Sequence, residues 1–114
     1  MTLAPLLLTA NQPADRFYRG GPRIAAFRGE RGGAASGDRV PEDWVASVTT
    51  QAGEASIGLT TLPATSAGPG RSLRSAIAAD PLGWLGPAHV ETFGTDPLLL
   101  VKLLDPGQRL PVHA

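Results

Sequence analysis

Cysteine is absent from this 114-residue chain, so disulfides and thiolate-ligated metal sites are excluded. Charged residues make up only 18% of the chain and their formal charges cancel, so there is no basic excess to neutralise a nucleic-acid backbone. No segment has the ~20 apolar residues needed to span a bilayer. The apolar first ten residues lack the basic start of a secretory signal. We therefore expect a cytoplasmic protein that binds neither nucleic acid nor membrane.

Glycine and proline are abundant instead, at 14 and 11 residues. This composition favours turns, loops and short strands over long helices. Short strands are predicted at residues 6–11, 41–50 and 57–59, and residues 24–27 are predicted as a short strand or a single turn. The length suits one small domain. We expect a mainly β fold with a short helix.

The predicted helix covers residues 72–80. Ser72 is a suitable N-cap, and Leu73, Ala76 and Ile77 have the spacing of one apolar helix face. Pro81 follows and favours an end at the preceding residue. At about two turns the helix is marginal alone, so packing must hold it.

The last seventeen residues predict two strands joined by a tight turn at residues 105–108, Asp-Pro-Gly-Gln. In that hairpin Lys102 lies opposite Pro111, and Leu100 lies opposite His113. Lys102 and His113 then share one face as diagonal neighbours, about 7–8 Å apart at the backbone. Lys102 is the only lysine in the chain. The alternative interpretation of Lys102 is that its amine reaches solvent from a sheet edge while the aliphatic part of its side chain covers apolar surface.

Two features of the C-terminal segment resemble a known family. Gly107, five further residues and His113 resemble the opening of the first cupin motif, in which Gly-x5-His-x-His and a later glutamate bind a metal. More specifically, Pro-Leu-Leu-Leu-Val-Lys-Leu-Leu-Asp at 97–105 followed by Gln-Arg-Leu-Pro-Val-His-Ala at 108–114 resembles type I mannose-6-phosphate isomerases. The resemblance implies that residues 1–114 are the N-terminal portion of a single cupin-type, jelly-roll domain, incomplete and truncated within its metal-binding motif.

The resemblance also implies roles for three residues. Lys102 corresponds to a family lysine that faces the sugar phosphate, so it is the expected catalytic and substrate-binding residue. Tyr18, in an Arg-Phe-Tyr-Arg-Gly-Gly segment, corresponds to a family aromatic residue beside the sugar if one residue is inserted. His113 corresponds to the first metal ligand, with zinc as the expected metal and the other ligands expected beyond Ala114.

Other chemistry-bearing residues are interpreted as structural. Glu42 and Asp43 are predicted to be solvated charges ahead of a strand, and Trp44 is predicted to lie in the core. His89 is predicted to be an ordinary surface histidine in a loop. The glycine-rich residues 28–39 lack the Gly-Lys-Ser/Thr ending of a phosphate loop, so they predict a surface loop.

The expected function is interconversion of mannose 6-phosphate and fructose 6-phosphate by zinc-assisted proton transfer, with a hexose phosphate as the partner. The 114-residue chain alone is expected to be inactive. One alternative is a non-catalytic sugar-binding or regulatory cupin module. Another is a small β domain that packs against a partner protein without a metal.

Overall fold

The computed structural model describes residues 4–65 and 68–110. Within these ranges the chain forms two compact units. We call residues 9–45 and 101–110 the sheet unit, and residues 4–8 and 46–100 the helical unit. His113 lies outside the described residues.

The sheet unit contains a helix α1 (Pro22–Arg28) and two strands, β1 (Glu42–Val45) and β2 (Val101–Leu104). The strands are antiparallel, and their register pairs Glu42 with Leu104 and Trp44 with Lys102. Directly paired residues lie on the same face of a sheet, as do residues two apart on one strand. Glu42, Trp44 and Lys102 therefore share one face.

Helix α1 begins and ends at residues suited to those positions. Pro22 occupies the first turn, where a missing N–H costs nothing. Asp105, just after β2, accepts hydrogen bonds through Oδ2 from the main-chain N–H groups of Gly21 (3.1 Å) and Arg23 (2.8 Å). It thereby satisfies donors at the helix start that have no partner within the helix. The helix ends at Gly29, whose φ of 74° favours glycine.

The helical unit contains three short helices in succession: α2 (Leu73–Ala79), α3 (Pro81–Leu85) and α4 (Pro87–Phe93). The Ser72 hydroxyl caps α2 by accepting from the N–H of Ser75 (3.1 Å). Asp80 follows α2 and caps α3 by accepting from the N–H of Gly83 (3.1 Å). None of the helices in the described ranges is long and apolar enough to cross a bilayer.

Each unit buries its own apolar residues. In the sheet unit these are Tyr18, Ile24, Val40 and Trp44. In the helical unit they are Leu73, Ala76 and Ile77 on α2. The prediction of this helix, its Ser72 cap and its apolar face is confirmed, and so is the prediction that Trp44 is buried.

The expected mainly β fold, as the start of a cupin-type jelly roll, is wrong. The described residues contain four helices and a single two-stranded sheet. Residues 24–27 lie inside α1, and residues 6–11 and 57–59 form no strand. Gly58 has a φ of 105°, which is incompatible with a strand, and the left-handed Ala46 (φ 49°) ends β1 well before residue 50.

The predicted terminal hairpin is also wrong within the described residues, because β2 pairs with β1 and no strand follows at residues 109–110. The turn segment instead contacts the chain near Arg19. The N–H of Gly107 donates to the Arg19 carbonyl (2.7 Å), and the Arg19 N–H donates to Oε1 of Gln108 (3.3 Å). The predicted pairings of Lys102 with Pro111 and of Leu100 with His113 involve residues outside the described ranges.

Candidate functional site

The candidate site is built around the carboxylate of Glu42, the first residue of β1. Its side chain is only 6% exposed. The Tyr18 hydroxyl donates to Oε2 (2.6 Å), and the indole N–H of Trp44 donates to Oε1 (3.0 Å). Two cations complete the set: Arg16 Nε lies 3.2 Å from Oε2, and Lys102 Nζ lies 3.7 Å from Oε1. We call these five residues the Glu42 cluster.

The surroundings of Glu42 keep it ionised. Burial by itself would raise the pKa of Glu42, because it removes water from the charged form. The hydrogen bonds from Tyr18 and Trp44 and the positive charges of Arg16 and Lys102 together outweigh burial. The pKa of Glu42 therefore lies below its ordinary value, and the carboxylate is negatively charged at neutral pH.

The contact between Glu42 and Tyr18 lowers the pKa of Glu42 but raises the pKa of Tyr18. Burial raises the pKa of the Tyr18 phenol, and the hydrogen bond to Glu42 and the negative charge of Glu42 raise it further, against a smaller opposing effect of Arg16. Tyr18 is therefore a neutral hydrogen-bond donor across the physiological pH range.

Lys102 is held from two sides. Its amine lies near Glu42, and Nζ is 4.2 Å from the centroid of a Trp44 ring, within the range of a cation–π interaction. Lys102 reaches this ring because it is the residue directly opposite Trp44 in the sheet. Its side chain is 30% exposed, so it is the member of the Glu42 cluster most open to a ligand.

A cavity of about 430 Å³ adjoins Lys102. Its walls are residues 102–106 on one side and Arg23, Ile24 and Phe27 of α1 on the other. Two of these side chains, Lys102 and Arg23, are cationic. The carboxylate of Asp105 also lines the cavity, but its Oδ2 already accepts two main-chain N–H groups. The residues that line the cavity are thus mainly apolar with two basic members, a composition that suits an anionic ligand of small-molecule size.

The structure brings together two of the three residues that the resemblance assigns to the site. Lys102 and Tyr18 contact the same carboxylate, Lys102 through Oε1 and Tyr18 through Oε2. Tyr18 is buried, so its role in the described geometry is to position Glu42. The third residue, His113, lies outside the described residues.

The expectation that Glu42 and Asp43 are solvated is wrong, since both are buried. Asp43 is fully buried on the opposite face of β1. It accepts from the N–H of Asn11 (2.8 Å) and pairs with Arg28, whose Nη2 lies 2.7 Å from Oδ2. The sequence feature that could have identified Glu42 as a site residue is its spacing from Trp44, because residues two apart on a strand share a face. Recognising it required knowing which segment supplies the opposing lysine.

His89 lies in α4 and not in a loop. Its ring Nε2–H donates to the main-chain carbonyl of Asp96 (2.7 Å), because a carbonyl can only accept. This contact gives His89 a local structural role.

A metal site is not assembled by the part of the chain that the structure describes. No group of three His, Cys, Asp or Glu side chains within residues 4–65 and 68–110 could hold a metal ion. A catalytic zinc needs about three protein ligands. The described residues therefore do not fit a zinc centre on their own.

Comparison of the chain with protein-family models, with curated proteins and with solved structures found no match.

Proposed function

We propose that this chain supplies part of the substrate pocket of a sugar-phosphate isomerase acting on mannose 6-phosphate and fructose 6-phosphate. The observation that carries the proposal is the Glu42 cluster. It joins Tyr18 and Lys102, the two described residues that the resemblance assigns to the substrate, and Lys102 is also one of the residues that line a cavity. A cytoplasmic location remains part of the proposal.

The chemistry of the cavity suits such a substrate. A hexose phosphate carries negative charge at one end and hydroxyl groups along its length. Lys102 and Arg23 offer cationic donors for phosphate or sugar oxygens, while the exposed Phe27 supplies apolar surface for the carbon skeleton.

Aldose–ketose interconversion moves a proton between C1 and C2 through an enediol, and negative charge develops on the sugar oxygens. A cation held in a part-buried site stabilises such charge more effectively than one in water. In the proposed reaction the Lys102 ammonium performs this role. It is the part of the Glu42 cluster that contacts the substrate, and the other members hold it.

Zinc enters this proposal only through the resemblance. His113 is the expected first ligand, and the proposal places the remaining ligands outside this chain. The described residues do not form a metal centre, so none of the roles above depends on zinc. A turnover assay of the 114-residue chain with added zinc tests this point. We expect no turnover, and turnover with one bound zinc per chain would contradict it.

Substrate binding can be tested by following the indole N–H of Trp44 in ¹H–¹⁵N spectra. Mannose 6-phosphate at millimolar concentration should shift this signal, because Trp44 contacts both Glu42 and Lys102. Mannose without phosphate should leave it in place. In Lys102→Met the shift with mannose 6-phosphate should be lost.

The matched control is Arg31→Met, which removes an exposed cation elsewhere in the sheet unit and should keep the shift. If mannose 6-phosphate leaves the Trp44 signal of the wild-type chain unmoved, the proposed function is wrong. An equal shift with inorganic phosphate would indicate an anion site without sugar recognition and would also contradict it.

A further inference from the structure

Four groups contact the Glu42 carboxylate, two at each of its oxygens. Oε2 accepts from Tyr18 at 2.6 Å and pairs with Arg16 at 3.2 Å. Oε1 accepts from Trp44 at 3.0 Å and lies 3.7 Å from the Lys102 amine. The three shorter contacts fix the carboxylate itself. The fourth and longest links this fixed charge to the most exposed member of the Glu42 cluster.

Lys102 is long and flexible, and an ammonium on such a side chain ordinarily samples many rotamers in water. Here two features restrict it. The Trp44 ring faces its nitrogen, and the Glu42 carboxylate lies to one side. The indole of Trp44 is itself oriented by its hydrogen bond to Glu42. Both restraints on the lysine therefore depend on the same carboxylate.

We propose that Glu42 is a positioning residue, which holds the Lys102 amine where a sugar phosphate would meet it. This inference rests on the proposed function for the identity of the ligand. Glu42 is not a catalytic residue in this account, because its side chain is only 6% exposed and both oxygens are covered. It acts through Lys102, and Tyr18 and Arg16 act on Lys102 only through Glu42.

A purely structural role makes a different prediction. If Glu42 served only to satisfy Tyr18, Trp44 and Arg16, its replacement would affect folding and leave the behaviour of the Lys102 amine unchanged. The position and accessibility of that amine are therefore the decisive readout. The chain contains a single lysine, so the ε-amine can be followed without interference from another.

The experiment measures the rate at which acetic anhydride acetylates Lys102, by mass spectrometry of the peptide that contains it. In the folded wild-type chain we expect Lys102 to react about tenfold more slowly than the amine of N-acetyl-lysine amide, because it is engaged by a charged partner and an aromatic ring. Glu42→Gln should remove most of this protection. The control Asp38→Asn removes an exposed carboxylate near Arg19 and should leave the rate unchanged.

A second variant keeps the test decisive if Glu42→Gln does not fold. Glu42→Asp keeps the charge but withdraws it by one methylene, so it should give partial protection of Lys102. Circular dichroism identifies which variants are folded, and the rates are compared among those. Wild-type Lys102 that reacts as fast as the free amine, or a folded Glu42 variant that reacts as slowly as wild type, would overturn the proposal.

Binding of mannose 6-phosphate separates this inference from the proposed function. If the function is right, a folded Glu42→Gln chain should bind mannose 6-phosphate about tenfold more weakly than wild type, as expected when a preorganised cation becomes mobile. Protection of Lys102 without any binding by wild type would refute the proposed function and leave Glu42 as the residue that holds the amine. Binding of equal strength by wild type and Glu42→Gln would refute the positioning role alone.

Discussion

In the helical unit, helix α2 is specified by neighbours in sequence, whereas in the sheet unit β2 pairs with a strand from the first half of the chain. Ser72 caps α2 through Ser75, three positions away. Asp105 caps α1 through Arg23, 82 positions away. The first kind of contact can be read from a short window of sequence, and the second cannot. This difference explains which predictions succeeded.

The two units also differ in the interactions that stabilise them. The helical unit buries apolar side chains of α2, and the exposed Ser72 cap of that helix is replaceable at modest cost. The sheet unit relies on buried charged groups, namely Glu42 on one face of β1 and Asp43 on the other. A buried charge that loses its partner is costly, so changes in the sheet unit should have the larger effects.

The largest effect is expected for Gly20→Ala in the sheet unit. A Cβ at this position would lie 1.7 Å from the main-chain oxygen of Asp105, and Gly20 has a φ of 152°. Relief requires movement of backbone, so we expect a loss of more than about 4 kcal/mol of unfolding free energy. Urea denaturation measures it. Gly29→Ala, where the new Cβ meets nothing within 4 Å, avoids this clash and should cost only about 1–3 kcal/mol, from the strain of a φ of 74° and a ψ of −177°.

The second largest loss of stability is expected for Asp43→Ala. It removes the acceptor for the Asn11 N–H and leaves the part-buried Arg28 without its carboxylate. We expect destabilisation of about 3 kcal/mol by urea denaturation, at the lower end for breaking a buried pair because Arg28 retains some contact with solvent. Asp38→Ala, at an exposed pair, should change stability by less than about 0.5 kcal/mol. Equal effects would contradict the contrast between buried and exposed charges.

Tyr18→Phe removes one donor from Glu42 and should cost about 1–2 kcal/mol near neutral pH. It should also change the response to alkali. Because the pKa of Tyr18 is raised on folding, its contribution is complete below about pH 10, the unfolded value, and is lost as pH rises toward the folded pKa. Stability of wild type should therefore fall more steeply than that of Tyr18→Phe above this pH. Parallel curves would show that the phenol is not buried against Glu42.

Ser72→Ala should have a smaller effect, because it removes one exposed cap in the helical unit. The expected loss is about 1 kcal/mol, measured as a lower urea midpoint. Ser75→Ala keeps the main-chain N–H that Ser72 accepts, so it should cost less. If Ser72→Ala were as damaging as Asp43→Ala, the proposed difference between the two units would be wrong.

The response to acid tests the charge of Glu42 itself. Because the pKa of Glu42 is lowered on folding, its contribution is complete above the unfolded value of about 4.3 and is lost as pH falls through the folded pKa. Between about pH 5 and pH 3, wild type should lose more stability than Glu42→Gln. A steeper loss in the variant would contradict an ionised Glu42 in the folded chain.

Sequence reasoning succeeded where a structure depends on adjacent residues. It identified α2 with its cap and its apolar face, and it identified Trp44 as buried. It failed for the terminal hairpin, because an Asp-Pro-Gly-Gln segment fits a tight turn equally well whether or not the next residues return along the strand. In the structure this segment contacts Arg19 instead.

The candidate site was predicted in part. The single lysine among leucines was singled out as a site residue, and its partner was sought in His113, outside the described residues. Glu42 was taken for a solvated residue, because nothing local shows that Lys102 lies opposite Trp44. Burial of a charge on a strand depends on the register of the partner strand, and that register becomes visible only with the fold.

The most direct test is a nuclear Overhauser experiment on the side chain of Lys102, whose Hε protons have no lysine counterpart elsewhere in the chain. The β1–β2 pairing predicts strong cross-peaks from these protons to the Trp44 indole ring, since Nζ lies 4.2 Å from the ring centroid. Cross-strand contacts between Lys102 and Pro111, with none between Lys102 and Trp44, would establish the terminal hairpin and contradict the Glu42 cluster.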